Sequence, residues 1–184
     1  MSRFDKTQSE IDDIERTAAL LMGPGEVLEL RALGVSTAKY RAPHTVSGYF
    51  DNPVKLAQAT RSIHGAKGIY LTLNPVDPAL LGRAYNRAKN IGKGDNTTSD
   101  SNIVRRRTMV IDFDPDRLQG ISASDEEKES AHLIAREVRD YLQSEGWPEP
   151  LIGDSGNGYH LVYRIDLPAD DGGLVKRCLS ALAD

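Results

Sequence analysis

The stretch Thr108-Met109-Val110-Ile111-Asp112-Phe113-Asp114-Pro115 determines how the rest of the chain is interpreted. It is predicted to be a buried strand that ends in two carboxylates. Because side chains alternate between the faces of a strand, Asp112 and Asp114 share one face and lie about 6.5–7 Å apart at Cα. The apolar residues on the other face would enter a core: Met109, Ile111 and Phe113. Two neighbouring acids repel each other unless a cation lies between them, and Mg²⁺ and Mn²⁺ prefer carboxylate oxygens.

Asp112 and Asp114 are therefore candidate metal ligands. The alternative is an acidic, solvated turn, since Asp and Pro are common turn residues. Pro115 lacks an N–H group for a sheet and is predicted to end the strand. The apolar run before the acids favours the metal site, because it places them on a rigid element.

Composition limits the class of protein. The 184 residues are 39% hydrophobic and 27% charged, as in ordinary globular domains, and they predict one domain. No apolar run approaches the roughly 20 residues that span a bilayer, and the first residues lack a signal peptide's apolar core. The single cysteine, Cys178, excludes an internal disulfide and a cysteine-cluster zinc site. We expect a cytoplasmic protein without a membrane partner.

Charge is distributed unevenly along the chain. The net charge of −4 is not that of a protein that coats DNA by charge alone. Basic residues cluster from Arg83 to Arg107, where only Asp95 and Asp100 oppose them, whereas the segment from Asp112 to Glu149 is acidic. A basic surface near an acidic metal site would suit a phosphate-rich ligand.

Hydrophobic periodicity predicts an α+β domain without repeats or linkers. Besides the stretch quoted above, strands are predicted at residues 26–32, 45–50, 68–73, 151–152 and 159–165. Helices are predicted at residues 7–22, 53–65 and 174–183, after Asp77 with Arg83 and Arg87 on a solvated face, and from the capping box Ser124-Asp125-Glu126-Glu127 onward. The apolar face of this last helix is predicted to contain Leu133, Ile134, Val138, Tyr141 and Leu142. Residues 90–102 are predicted to form a polar loop.

The second informative stretch is Asp154-Ser155-Gly156-Asn157-Gly158-Tyr159-His160. Asn157-Gly158 between apolar runs predicts a hairpin turn, because both residues tolerate positive φ. His160 would project beside this turn, whose bare N–H groups could cradle a phosphate. A plain hairpin with a surface histidine is the alternative, and the glycines alone favour it. With the two aspartates, however, the turn predicts a nucleoside triphosphate site, which needs both metal and phosphate donors.

These two motifs, Ile111-Asp112-Phe113-Asp114 and Ser155-Gly156-Asn157-Gly158-Tyr159-His160, resemble those of the archaeo-eukaryotic primase superfamily. The chain is most similar to its prim-pol (bifunctional primase-polymerase) branch from plasmids, phages and other mobile elements. That family has an apolar strand ending in D-x-D or D-x-E, then a Ser-x-His-type motif, often S-G-x-G-x-H. The resemblance extends from about Glu26 onward. It implies an α+β fold with a mixed or antiparallel sheet, an RRM-like catalytic core and an N-terminal α/β module packed against it.

The resemblance also implies template-directed nucleotidyl transfer from nucleoside triphosphates on single-stranded DNA, with Mg²⁺ or Mn²⁺ as cofactor. Asp112 and Asp114 would be the metal ligands and, with His160, the catalytic residues. The nucleotide-binding residues would be Ser155, Gly156, Asn157, Gly158 and His160. A helicase in the same protein or operon would be a possible partner.

Arg106 would contact the template backbone. It falls on the same strand face as Asp112, about 20 Å away, which is too far for the metals. A solvated strand edge blunted by charge is an equally good interpretation of Arg105–Arg107.

The third acidic motif of the family has no counterpart that can be assigned here. Asp166 follows the histidine too closely, and Asp184 ends a helical pattern. We therefore expect a single prim-pol catalytic domain over residues 1–184 that stops before the third carboxylate. Two alternatives are a non-catalytic nucleic-acid-binding remnant of the same fold and a D-x-D metal-dependent glycosyltransferase. The glycosyltransferase leaves the second motif unexplained.

Overall fold

The computed structural model describes residues 13–38, 42–115 and 122–183, and the chain divides into two compact units, Met1–Arg106 and Arg107–Asp184. Each unit combines helices with an antiparallel sheet, which confirms the α+β prediction. None of the helices within the described ranges is long and apolar enough to cross a membrane.

The first unit contains a four-stranded antiparallel sheet in the order β3-β1-β2-β4. Its strands are β1 (Leu28–Val35), β2 (His44–Phe50), β3 (Gly68–Leu71) and β4 (Arg87–Asn90). One face of the sheet is apolar, and Leu28, Leu30 and Phe50 pack there against α1 (residues 13–21) and α2 (Pro53–Ser62). Pro53 occupies the start of α2, as predicted. Residues 7–12 of the first predicted helix lie outside the described residues.

The helix predicted after Asp77 is wrong in type and length. Pro78–Arg83 form a short 3₁₀ helix, whose start is capped by the Asp77 carboxylate, which accepts from the Ala79 N–H at 2.9 Å. Asn86 then adopts a φ of 48°, and the chain reverses into β4. Arg87 consequently lies on a strand and not on a helix face, whereas Arg83 is exposed at the end of the 3₁₀ helix.

The second unit contains a three-stranded sheet in the order β5-β7-β6. Its elements are β5 (Arg105–Phe113, of which the first two residues fall in the first unit), α3 (Asp125–Ser144), β6 (Leu151–Asp154), β7 (Tyr159–Pro168) and α4 (Leu174–Ala183). β6 and β7 are antiparallel. Gly158 lies against Phe113 at one end of β7, and Asp166 pairs with Arg107 at the other, so β5 and β7 also run in opposite directions.

The core of the second unit is formed by alternate residues of β5 and β7 together with α3 and α4. Its buried members are Met109, Ile111, Leu142, Leu161 and Tyr163. Half-buried residues of α4, including Val175 and Leu179, pack against them. The apolar face predicted for the carboxylate strand is therefore confirmed.

α3 begins where the capping box predicts. The Glu127 N–H donates to Ser124 Oγ at 3.2 Å, and the Ser124 N–H donates to Glu127 Oε2 at 2.8 Å. These two bonds satisfy backbone donors that the first turn of a helix leaves unpaired.

The predicted apolar face of α3 is only partly right. Leu142 is buried and Val138 is half-buried, but Leu133, Ile134 and Tyr141 are 50%, 53% and 56% exposed. The other buried residues of α3 are Ala131 and Ala135. Small side chains let a helix approach a sheet closely, so the buried stripe follows the alanines and not the bulkiest residues.

Candidate functional site

Asp112 and Asp114 occupy the end of β5. Met109 and Ile111 are buried in the core on one face of the strand. Because side chains alternate between the faces, Asp112 and Asp114 are exposed on the other side. The Asp112 side chain is 62% exposed. Asp114 directly follows Phe113, the last residue of the strand. The two carboxylates thus project from a rigid strand end, as the sequence predicts.

His160 meets Asp112 across the sheet. Its Nε2 atom lies 3.0 Å from Asp112 Oδ1. Leu161 and Tyr163 of β7 are buried in the core, so the intervening alternation directs His160 to the face that carries the aspartate. The pairing of β5 with β7 therefore brings together residues from two motifs that are far apart in the sequence.

The turn before His160 differs from the predicted one. Asp154 pairs with Tyr159, so the loop contains the four residues Ser155–Gly158 and not two. Its positive φ, 90°, belongs to Gly156, while Asn157 is not among the residues with positive φ.

Position 158 requires glycine because the backbone of β5 lies too close for a side chain, and not because of the turn geometry. A Cβ atom at this position would lie 2.1 Å from the carbonyl oxygen of Phe113, a backbone atom that cannot move aside as a flexible side chain would. Glycine therefore allows the start of β7 to approach the end of β5, directly beside the two aspartates.

The expectation that the turn presents bare N–H groups is wrong for both glycines. The Gly156 N–H donates to Asp154 Oδ1 at 2.7 Å, and the Gly158 N–H donates to Ser155 Oγ at 2.9 Å. The Ser155 hydroxyl in turn donates to the Gly158 carbonyl at 3.1 Å. In this conformation these groups close the turn, and phosphate binding by their N–H groups would require the turn to open.

The N-terminal end of α3 is attached to the same turn. Asn157 Oδ1 accepts from the Ala123 N–H at 3.1 Å, and Lys128 Nζ lies 2.9 Å from Asp154 Oδ2. The Lys128 hydrogen bond and the Gly156 N–H hold the pKa of Asp154 below its ordinary value. These contacts give Asn157 and Lys128 a role in fixing the turn; Asn157 was predicted as a turn residue, but its contact with Ala123 and the role of Lys128 were not predicted from the sequence.

A groove of about 770 Å³ runs along the outer edge of β5 and reaches both aspartates. We call it the β5 groove. Apolar residues of the two helices form much of it, notably Ile134, Val138, Leu179 and Leu182. Glu127 also lines it, but its carboxylate already accepts from the Ser124 N–H. The sequence did not predict this groove, because it assigned Ile134 to the core.

The donor set fits a magnesium-type ion held partly by substrate. Among the described residues, no group of three or more His, Cys, Asp or Glu side chains is placed to enclose a metal. Mg²⁺, however, commonly binds through one or two carboxylates together with waters and substrate phosphates. Two exposed carboxylates at a strand end match that requirement, whereas they do not match a cage built from protein ligands alone.

Two residues discussed in the sequence analysis, Arg106 and Asp166, do not belong to this cluster. Arg106 lies on β5, which begins at Arg105. Asp166 pairs with Arg107, with a 2.5 Å separation between Arg107 Nη1 and Asp166 Oδ1. The site is thus defined by Asp112, Asp114, His160 and the Ser155–Gly158 turn.

Comparison of the chain with protein-family models, curated proteins and solved structures finds no match.

Proposed function

We propose that the second unit is the nucleotide-binding core of a DNA primase-polymerase, a metal-dependent nucleotidyltransferase. One observation carries this proposal: Asp112 and His160, which come from two separate motifs, lie 3.0 Å apart at one end of the sheet. The pairing of β5 with β7 thus places a candidate metal ligand and a candidate phosphate donor at facing positions, which a nucleoside triphosphate site requires.

The two carboxylates hold Mg²⁺ or Mn²⁺ in this proposal. The ion supplies charge stabilisation to the transferring phosphoryl group and the leaving pyrophosphate. Asp112 projects from a strand whose opposite face is packed, and Asp114 directly follows that strand, so the backbone that carries both carboxylates is positioned before binding. His160, held beside Asp112, adds a donor for the triphosphate. Ser155 contributes its hydroxyl once the turn releases the Gly158 carbonyl.

The proposal includes an RRM-like core in the second unit, and the order of its elements supports it. Its elements follow the order β-α-β-β-α, and the third strand, β7, lies between the other two. This is the order of the split β-α-β family of folds up to its final strand. The proposed template is single-stranded DNA, with Arg106 as a candidate backbone contact.

A non-catalytic nucleic-acid-binding function is the second candidate. It is favoured by the lack, within the described ranges, of a third carboxylate in the metal cluster. The glycosyltransferase hypothesis has less support, because it gives no role to the contact between His160 and Asp112.

Calorimetric titration of dATP or ATP with Mn²⁺ or EDTA tests the proposal. We expect metal-dependent nucleotide binding that is abolished in the Asp112→Asn/Asp114→Asn double variant. Glu137→Gln is the matched control, because Glu137 is an exposed acid of α3 outside the site. DNA binding that persists in EDTA, without any metal-dependent nucleotide binding, would instead establish the non-catalytic function.

A further inference from the structure

The first unit has several polar side chains on the sheet face opposite the one that packs on α1 and α2, beside an apolar cluster that contains Tyr49. Alternation along β1 and β2 places Glu29 and Arg31 beside Ser47 and Tyr49, and Lys89 of β4 pairs with Ser47. Antiparallel sheets commonly pack one face on the core and expose a polar face to solvent. Here, however, it is partly covered by the segment comprising residues 91–99.

A buried carboxylate attaches this segment to the sheet. Glu29 is 1% exposed and accepts from the Ser47 hydroxyl at 2.5 Å and from the Thr98 N–H at 3.2 Å. Arg31 pairs with Glu29 at 2.5 Å and also donates to the Thr98 carbonyl at 2.8 Å. These contacts hold the Thr98 backbone against the sheet, so the cluster forms a fixed wall, although the Thr98 hydroxyl is buried without a partner among the described residues.

Next to this wall lies a cavity of about 210 Å³. Its polar lining includes Ser47, Tyr49, Arg83, Lys89, Asp95 and Asn96. We call it the β2–β4 cavity. It is smaller than the roughly 300 Å³ at which sites for drug-sized ligands begin, which suits a single chemical group.

Tyr49 lines the β2–β4 cavity and also packs in an apolar cluster with Val27, Val76, Leu80 and Ala84. The side chain is 3% exposed, and its hydroxyl has no hydrogen-bond partner among the described residues. Buried polar groups are nearly always paired, so this hydroxyl in a residue that lines the cavity is a candidate donor for a bound acceptor.

Two cationic side chains, Arg83 and Lys89, line the same cavity, and their contacts with Asn96 and Asp95 use only part of their N–H donors. Arg83 donates one N–H to the Asn96 carbonyl at 3.1 Å, and a guanidinium has five. Lys89 Nζ lies 3.5 Å from the Asp95 carboxylate, at the outer limit of a hydrogen bond. Two cations and one acid leave an excess of one positive charge. A single carboxylate is also too few for a cation site.

We propose that the β2–β4 cavity binds a phosphate group, with Arg83 and Lys89 as charged donors and the Tyr49 hydroxyl as the buried donor. A phosphate offers several strong acceptor oxygens and negative charge, which complements a lining rich in donors. The group belongs either to a free nucleotide or to the backbone of a single strand. This site is independent of the nucleotide site proposed above, because it uses residues of the first unit only.

The test is an NMR titration of the ¹⁵N-labelled chain with inorganic phosphate. We expect shifts in the amide signals of Ser47, Tyr49 and Gly94, and binding weakened about tenfold or more in Lys89→Gln, since a charge-assisted hydrogen bond is lost. Lys93→Gln removes the same charge from the neighbouring exposed loop and should leave the affinity within about twofold, as expected for a screened surface charge.

Tyr49→Phe isolates the hydroxyl and keeps the ring in the core. It should weaken phosphate binding about threefold or more, as expected when a neutral hydrogen bond is lost. Tyr163→Phe is the matched control, because Tyr163 is also buried and its hydroxyl also lacks a partner within the described part of the chain, but it lies in the second unit. Unchanged affinity in both Tyr49→Phe and Lys89→Gln, or phosphate-induced shifts confined to other residues, would overturn the proposal.

Two further titrations identify the source of the phosphate. One uses dAMP, and the other uses an oligothymidylate without terminal phosphates. Shifts at the cavity residues with the oligonucleotide assign the site to a strand backbone, and shifts with dAMP alone assign it to a nucleotide. If neither compound competes with inorganic phosphate at these residues, the proposed ligand class is wrong.

Discussion

At the residue scale, Gly158 controls how closely β5 and β7 approach. Gly158→Ala would place a Cβ against the Phe113 carbonyl, which is part of the backbone. We expect a loss of about 2–4 kcal/mol in the free energy of unfolding, since the strands must separate or strain. Urea denaturation measures it. Gly82→Ala is the control, because nothing lies within 4 Å of its added Cβ. Equal denaturation midpoints for the two variants would contradict the close approach.

The contact between Asp112 and His160 should be visible as energetic coupling. Asp112→Asn, His160→Gln and the double variant form a cycle for Mn²⁺-dependent nucleotide affinity. We expect the two single changes to be non-additive by at least about 0.5 kcal/mol, as is usual for residues in contact. The readout is the nucleotide dissociation constant. Additive losses would mean that the two side chains act separately.

Residue-level predictions succeeded where geometry alone decides them. The exposed aspartates and the buried Met109 follow from the two-residue period of a strand. The turn was predicted less well, because Gly158 serves a close approach between strands that sequence spacing does not reveal. The positive φ of the turn, which was predicted at Asn157-Gly158, belongs to Gly156 instead.

At the element scale, α3 depends on its N-terminal cap. Ser124→Ala removes the acceptor for the Glu127 N–H, and we expect a loss of about 1 kcal/mol in stability. Thermal unfolding followed by circular dichroism measures the change. Ser180→Ala, at an exposed position of α4, should be neutral or slightly stabilising. The role of the cap is refuted if the two variants unfold at the same temperature.

Element boundaries were predicted best where a local signal marks them. The capping box fixes the start of α3, and Pro53 fixes the start of α2. The segment after Asp77 lacks such a signal at its end, and the left-handed Asn86 redirects it into β4. The buried face of α3 was predicted only in part for another reason. Ala131 and Ala135 are buried, whereas the larger Leu133 and Ile134 are exposed.

At the scale of the whole molecule, Glu29 links the stability of the first unit to pH. Burial raises the pKa of Glu29, but hydrogen bonds from Arg31, Ser47 and Thr98 and the charge of Arg31 outweigh it, so the pKa falls below its ordinary value of 4.5. The unfolded state therefore binds more protons than the folded state in this range. The stabilisation is complete above about pH 4.5 and is lost as the pH falls through the folded pKa.

Glu29→Gln should flatten this acid dependence. It should also lower stability at neutral pH by about 2–3 kcal/mol, because Arg31 loses its charged partner. Urea denaturation at a series of pH values between 3 and 7 gives both quantities, with Glu137→Gln as the exposed control. The cluster is not a source of pH dependence if wild type and Glu29→Gln lose stability in parallel on acidification.

The α+β class could be predicted from the sequence, but the polar face of the first unit could not. Glu29 stands in a strand pattern like any surface acid, and only the return of Thr98 from a distant segment buries it. Long-range contacts of this kind have no local signal. The same holds for the β2–β4 cavity, whose residues come from two strands, a 3₁₀ helix and a loop.

Paramagnetic broadening by Mn²⁺ in the presence of a non-hydrolysable dATP analogue tests the central claim most directly. The account predicts that amide signals of Asp112, Asp114, Gly158 and His160 broaden first, and that EDTA restores them. The Asp112→Asn/Asp114→Asn variant should show no such selective loss. Broadening centred on other residues, or unchanged in that variant, would contradict the assignment of the nucleotide and metal site.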